Sequence, residues 1–193
     1  FSSDGKKIVT VSDSTAIIWD ATTGSRLSTL SGHESWINTA NFSSDGTKLV
    51  TASNDKTAKI WDVATGDSLS TLHGHNGSIY TAEFSPDGTK IITGSEDNAV
   101  IIWNAATDNR LFTLRGHKGW IFTAEFCSDG KRIITGSEDN TAIIWDVATG
   151  TRLSVLNGHK GWVYTAEFSF DGMKIVTGSA DGTAKIWDVA TGR

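Results

Sequence analysis

The chain has 193 residues, and its 17 Lys and Arg against 22 Asp and Glu leave a net charge of −5, which argues against a phosphate-backbone ligand because such binding draws on clustered basic side chains. A single cysteine, Cys127, forms neither an internal disulfide nor a thiolate metal cage, and it leans the chain toward a reducing compartment, the cytoplasm. No run approaches the ~18 consecutive apolar residues of a membrane helix, so neither nucleic acid nor membrane is an expected partner.

Self-similarity decides the architecture. Trp19, Trp61, Trp103, Trp145 and Trp187 stand 42 residues apart, and so do His33, His75, His117 and His159, each preceded by Gly. In chain order the units fall at roughly 1–30, 35–72, 77–114, 119–156 and 161–193. The first unit is one residue short, because TVSDSTAIIW stands where the second has TASNDKTAKIW, and the loss falls in a turn, where deletions are tolerated best. The fourth unit shows the pattern most plainly: WIFTAEF, Asp129-Gly130, KRIITGS, Glu138-Asp139-Asn140, TAIIWDV, Ala148-Thr149-Gly150, TRLSVL. These are four short β-rich runs and three turns, with no sustained helical period. Asp-Gly recurs at 4–5, 45–46, 87–88, 129–130 and 171–172, and it predicts type I′ turns with positive φ at both residues.

The first strand of each unit breaks strict alternation. Ile121, Ala124 and Phe126 read as buried, spaced by three and then two, and a β-bulge reconciles that spacing. Trp120 and Phe122 then both point away from the core, as do Trp36 with Asn38, Ser78 with Tyr80, and Trp162 with Tyr164.

Gly-His, 28 residues from His to Trp, and Trp-Asp in a 42-residue unit of four strands make the whole chain resemble the WD-repeat (WD40) β-propeller family. The third unit departs with Trp103-Asn104. The resemblance implies an all-β fold of five antiparallel four-stranded blades, the first and last incomplete. It also implies a structural hydrogen-bonded set in each blade: His33, Thr51, Asp55, Trp61; His75, Thr93, Asp97, Trp103; His117, Thr135, Asp139, Trp145; and His159, Thr177, Asp181, Trp187. The first unit retains Thr10, Asp13 and Trp19. Propellers of this family typically have seven blades, so the expectation is an open arc or partial ring, a segment of a longer propeller or array. A closed five-bladed ring is the rival.

The repeated His residues sit in different blades and do not converge on one ion, so no metal is expected. Thr, His and Asp together resemble a nucleophile relay, but their repetition with Trp as a fourth member speaks for packing. There is no phosphate loop or GxGxxG turn, and neither a cofactor nor catalysis is expected. Because strands run alternately up and down, the Gly-His loops and Glu-Asp turns share one rim. That rim gathers Trp36, Asn38, Tyr80, Trp120, Phe122, Trp162 and Tyr164 beside Glu96 and Glu138. Aromatic faces near carboxylates suit a Lys or Arg of a partner protein or peptide, while Lys118 and Lys160 on the same rim count against a purely cation-seeking surface. The alternative is that these rings plug the grooves between blades. Lys6-Lys7, Lys48, Lys90, Lys131-Arg132 and Lys174 on the other rim read as a solvated face, and the acceptor patterns at Asn41 and Asn76 are discounted as modification sites.

The expected function is thus a non-catalytic interaction scaffold. Residues 84–125 and 126–167 agree at 27 of 42 positions. Such uniformity resembles the near-identical arrays of large signalling NTPases and kinases, which makes a sensor domain the second expectation.

Overall fold

The computed structural model describes residues 1–193 as strands and turns, without helices. The first blade contains β1 (Lys7–Ser12), β2 (Thr15–Asp20) and β3 (Arg26–Ser31). The second contains β4 (Ile37–Phe42), β5 (Lys48–Ser53), β6 (Thr57–Asp62) and β7 (Ser68–His73). The third contains β8 (Ile79–Phe84), β9 (Lys90–Ser95), β10 (Ala99–Asn104) and β11 (Arg110–Arg115), and the fourth β12 (Ile121–Phe126), β13 (Arg132–Ser137), β14 (Thr141–Asp146) and β15 (Arg152–Asn157). The fifth holds β16 (Val163–Phe168), β17 (Lys174–Ser179) and β18 (Ala184–Asp188). Every sheet is an antiparallel meander in sequence order.

The core lies in the seams between neighbouring blades. Alternate residues of one strand face opposite neighbours, so Ile133 packs toward the third blade with Ile92 and Val100, while Ile134 packs toward the fifth with Val163 and Ile175. This two-sided burial is why β9 and β13 read as continuous Ile-Ile-Thr-Gly-Ser rather than as alternating apolar and polar residues. Each fully buried Ile stabilises the stack by about 1.5–3 kcal/mol. The outward face of the fifth blade keeps Val176 and Ile186 exposed, although their fourth-blade counterparts Ile134 and Ile144 are fully buried. The five blades therefore form an open arc, and the closed five-bladed ring is not the structure.

The register shifts between Ile37 and Thr39, Ile79 and Thr81, Ile121 and Thr123, and Val163 and Thr165. This places a bulge at Asn38, Tyr80, Phe122 and Tyr164, where the spacing of the apolar residues requires one. A second series of shifts lies in the outer strands, opposite Trp19, Trp61, Trp103 and Trp145. It turns Leu27, Leu69, Leu111 and Leu153 out to solvent.

The Asp-Gly turns are not type I′. Only the glycines have positive φ, from 67° to 70° at Gly5, Gly46, Gly88, Gly130 and Gly172. In the second blade the Gly46 amide donates to the Ser43 carbonyl, and the Asp45 carboxylate accepts from the Ser43 hydroxyl and the Thr47 amide. A loop built on a type I turn, with Asp capping the amide beyond it, replaces the two-residue hairpin.

The left-handed conformation of non-glycine residues falls instead in other turns, at Asp13, Lys56, Asn98 and Asn140 in the turn that carries the relay Asp in the later blades, and at Asp108 where the other units have Gly24, Gly66, Gly150 and Gly192. Asn tolerates it because its short side chain can hydrogen-bond locally, whereas Lys gains nothing there. Lys56→Asn, which installs the residue of the next two blades, is expected to raise stability by about 0.5 kcal/mol, seen as a small upward shift of the melting midpoint. Trp103-Asn104 also has a local explanation. Asn104 Oδ1 accepts from the Ala106 and Thr107 amides as Asp62 Oδ1 does from Ala64 and Thr65, so a neutral oxygen caps that turn equally well.

Candidate functional site: an aromatic arc on the rim

Four relays fix the blades beneath the rim. In the second blade His33 Nδ1 lies 2.6 Å from Asp55 Oδ2, its Nε2 lies 2.7 Å from Thr51 Oγ1, and the Trp61 indole donates to the same hydroxyl at 2.8 Å. The same chain joins Asp97, His75, Thr93 and Trp103, then Asp139, His117, Thr135 and Trp145, then Asp181, His159, Thr177 and Trp187. In the first blade Trp19 donates to Thr10, and Asp13 contributes its carbonyl to the Ile37 amide. With Nδ1 donating to the carboxylate, Nε2 accepts from Thr, and the Thr oxygen accepts from the indole, so each buried donor finds an acceptor.

Burial pushes the His33 imidazole below its ordinary range despite Asp55 beside it. Burial also acts to raise Asp97, but hydrogen bonds from His75 and the Asn76 amide outweigh it and bring the carboxyl down to about 2. The same competition resolves in the same direction at Asp139 and Asp55. These groups are consumed by one another. They offer no free nucleophile or base, and no three His, Cys, Asp or Glu side chains are placed to hold a metal ion.

The relays anchor the Gly-His loops, because Asp55, Asp97, Asp139 and Asp181 each also accept the amide of the residue after His. Each loop then enters the bulged strand that carries the rim residues. Gly119 permits a close approach, since a Cβ there would lie 2.9 Å from the Asp139 amide and the Glu138 Cβ. This contact sets Glu138 beside the start of β12, where its carboxylate accepts from the Trp120 amide at 3.4 Å.

The rim side chains form a connected arc across three blades. Tyr80 lies 5.8 Å from Trp120 and 5.9 Å from Phe122, and Phe122 continues to Trp162 at 5.9 Å and Tyr164 at 5.0 Å. The tilted and edge-on orientations are those that aromatic pairs prefer. Trp120, Trp162 and Tyr164 are nevertheless 40%, 42% and 46% exposed. They are stacked along one another without being plugged into the seams. The Tyr80 hydroxyl donates to Glu96 at 3.3 Å. Burial first, then the Glu96 and Glu138 carboxylates, raise the Tyr80 phenol above its usual range, so the aromatic surface lies in a negative local field.

The second blade does not join this arc. Trp36 is highly exposed, with no ring of the arc stacked on it. Asn38 spends its amide on Asn54 and on the Ile79 carbonyl of the next blade. The break arises because Ser78 holds the position in the third blade that Trp holds in its neighbours.

Sequence reasoning also passed over a line of side chains on the inner strands. Asn41, Glu83, Glu125 and Glu167 occupy one position in successive blades. Asn41 donates to the Ala82 carbonyl, and Glu83 accepts from the Phe126 amide at 3.2 Å. Burial, then the Glu125 charge, lift Glu83 to about 8, and burial, then Glu167, lift Glu125 to about 7. The legible signal was a charged residue at a fixed place between buried Ala and Phe in three units.

The family model described as WD domain, G-beta repeat matches residues 1–20, 24–62, 66–104, 108–146 and 150–188. Each full-length match combines the outer strand of one blade with the three inner strands of the next, so each repeat bridges a seam. No curated protein matches the chain.

Proposed function

The chain belongs to the WD-repeat family, whose domains generally mediate protein–protein interaction and are typically non-catalytic, and on that premise we propose that it is a scaffold that recruits a protein or peptide through the aromatic arc of its rim. The continuity of half-buried Tyr80 and Phe122 with exposed Trp120, Trp162 and Tyr164, beside two carboxylates, carries this reading. Large, rigid, partly exposed aromatics are the side chains that dominate binding energy. A Lys or Arg held over such rings contributes about 0.5–2 kcal/mol, and the field of Glu96 and Glu138 favours that sign of charge. Trp36, standing apart, extends the surface without being its centre.

Trp120→Ala combined with Phe122→Ala is expected to abolish partner capture in affinity pull-down while the double variant still melts cooperatively within a few degrees of the parent. Unfolding of the double variant would show instead that the rings serve as core, and retained capture would place the site elsewhere. The second reading, a sensor domain of a larger signalling enzyme, rests on the near-identity of adjacent repeats. It requires the same rim as the ligand-sensing surface.

A further inference from the structure

Near-identical repeats give each residue several internal counterparts, so a departure at one seam stands out. Phe170 occupies the Asp-Gly turn of the fifth blade where the other units have Ser3, Ser44, Pro86 and Ser128. Met173 follows where they have Lys6, Thr47, Thr89 and Lys131. Met173 is 66% exposed and lines the seam with the fourth blade, where Leu153 is 54% exposed by the outer-strand bulge, whereas Phe170 lies on the outward face of the fifth blade, outside that groove.

The seam itself also departs from its siblings. Between the third and fourth blades Phe112 fills the corresponding space against Gly150, and between the second and third Ser70 donates to Asp108 at 2.5 Å. Between the fourth and fifth, Ser154 faces Gly192, as Ser28 faces Gly66 between the first and second, and the groove measures ≈ 860 Å³. The matching groove between the first and second blades measures ≈ 400 Å³.

Leu153, Met173 and Val189 supply the apolar wall of the larger groove, and Asp171 and Asp188 stand at its edge. The Ser169 hydroxyl and Met173 amide hold Asp171 below the ordinary carboxylate range, and Thr191 does the same for Asp188. Neither carboxylate has a basic partner within ion-pair distance; Lys174 biases both without reaching either. Arg132, which also lines the groove, is already engaged by Asp129 at 3.3 Å and lies 5.6 Å from the centre of the Phe168 ring.

We propose that this groove is a second docking site, on the rim opposite the aromatic arc, for a peptide segment that inserts one bulky apolar side chain and sets a Lys or Arg against Asp171 and Asp188. An exposed apolar patch edged by charge is the usual mark of a protein-binding surface, and two ionised carboxylates without an ion-pair partner select the basic neighbour.

A random heptapeptide library displayed on phage, panned on the intact chain and counter-selected on Ser154→Phe, tests this. Ser154→Phe copies the filled seam of the third and fourth blades, and Met173→Thr installs the residue of the second and third blades, so both variants are expected to melt with the parent. The supporting result is enrichment of clones with Leu, Met, Phe or Trp next to Lys or Arg. Their synthetic peptides should bind each variant at least tenfold more weakly by fluorescence anisotropy, yet bind Trp120→Ala unchanged. Failure to enrich any such clone, binding to either variant as tight as to the parent, selection of acidic clones, or loss of binding in Trp120→Ala would overturn the assignment.

Discussion

Asp139→Ala is expected to destabilise the fold by about 3 kcal/mol and to lower Tm by roughly 6–12 °C, although the residue lies in a turn and contributes no apolar packing. Its carboxylate accepts from His117 Nδ1 at 2.9 Å, from the Lys118 amide at 2.8 Å and from the Thr141 hydroxyl at 2.6 Å. Removing it leaves the buried imidazole N–H without an acceptor, which alone costs about 1–3 kcal/mol, and it also uncaps the turn. The loss propagates inward, because His117 positions the Thr135 hydroxyl that accepts the Trp145 indole, and Trp145 belongs to the seam with the third blade. Asp139→Asn, which retains one oxygen acceptor, is expected to lose about half as much. Thermal melts of the two variants side by side check this, and an alanine variant that melts within 2 °C of the parent would remove the relay from the stability account.

Glu83→Gln is expected to stabilise the chain by about 2 kcal/mol at pH 8.5 and to change nothing at pH 4.5. Burial and the neighbouring Glu125 raise the Glu83 carboxyl to about 8 in the folded chain, well above the 4.5 of an unperturbed glutamate. A carboxyl with a raised folded pKa binds its proton more tightly when folded. The protein therefore loses stability as pH climbs from about 4.5 to about 8, and the loss then levels off. Gln keeps an oxygen for the Phe126 amide, and Asn41 already shows a neutral amide at the same place in the second blade. Denaturant melts at several pH values should give parent and variant curves that meet at low pH and diverge through that window. Parallel curves would mean that Glu83 is charged and solvated throughout.

Much of this molecule was legible because repetition supplies its own control. The 42-residue period set the blades, and the three-then-two spacing of Ile121, Ala124 and Phe126 located the inner-strand bulge at the residue where the register shifts. The turn type was not legible. Asp-Gly fits a two-residue hairpin and a longer loop equally well, and what decides is the Ser43 and Thr47 hydrogen bonds that draw Asp45 into a capping role. The outer-strand bulge was hidden because an exposed Leu and a buried Leu look alike in sequence.

At the site, the rim membership of Trp36, Tyr80, Trp120 and Trp162 followed from topology. Their continuity did not, since the gap at Ser78 and the diversion of the Asn38 amide depend on contacts between blades. The groove beside Met173 was readable only by comparing units for departures, because the Lys residues around it made that rim look like an ordinary solvated face.

The indole N–H signals of the 8 tryptophans offer the most direct test of partner binding at the rim. Trp19, Trp61, Trp103, Trp145 and Trp187 donate to threonine hydroxyls inside the blades, whereas Trp36, Trp120 and Trp162 are exposed. A ¹H–¹⁵N titration with a short Arg-containing peptide, and with the same peptide carrying uncharged citrulline, separates the two groups. The expected result is a saturable shift of Trp120 and Trp162 that is larger for Arg than for citrulline, with the five threonine-bonded indoles unmoved. Rim signals that stay in place, or that respond equally to both peptides, would contradict a cation-binding aromatic arc.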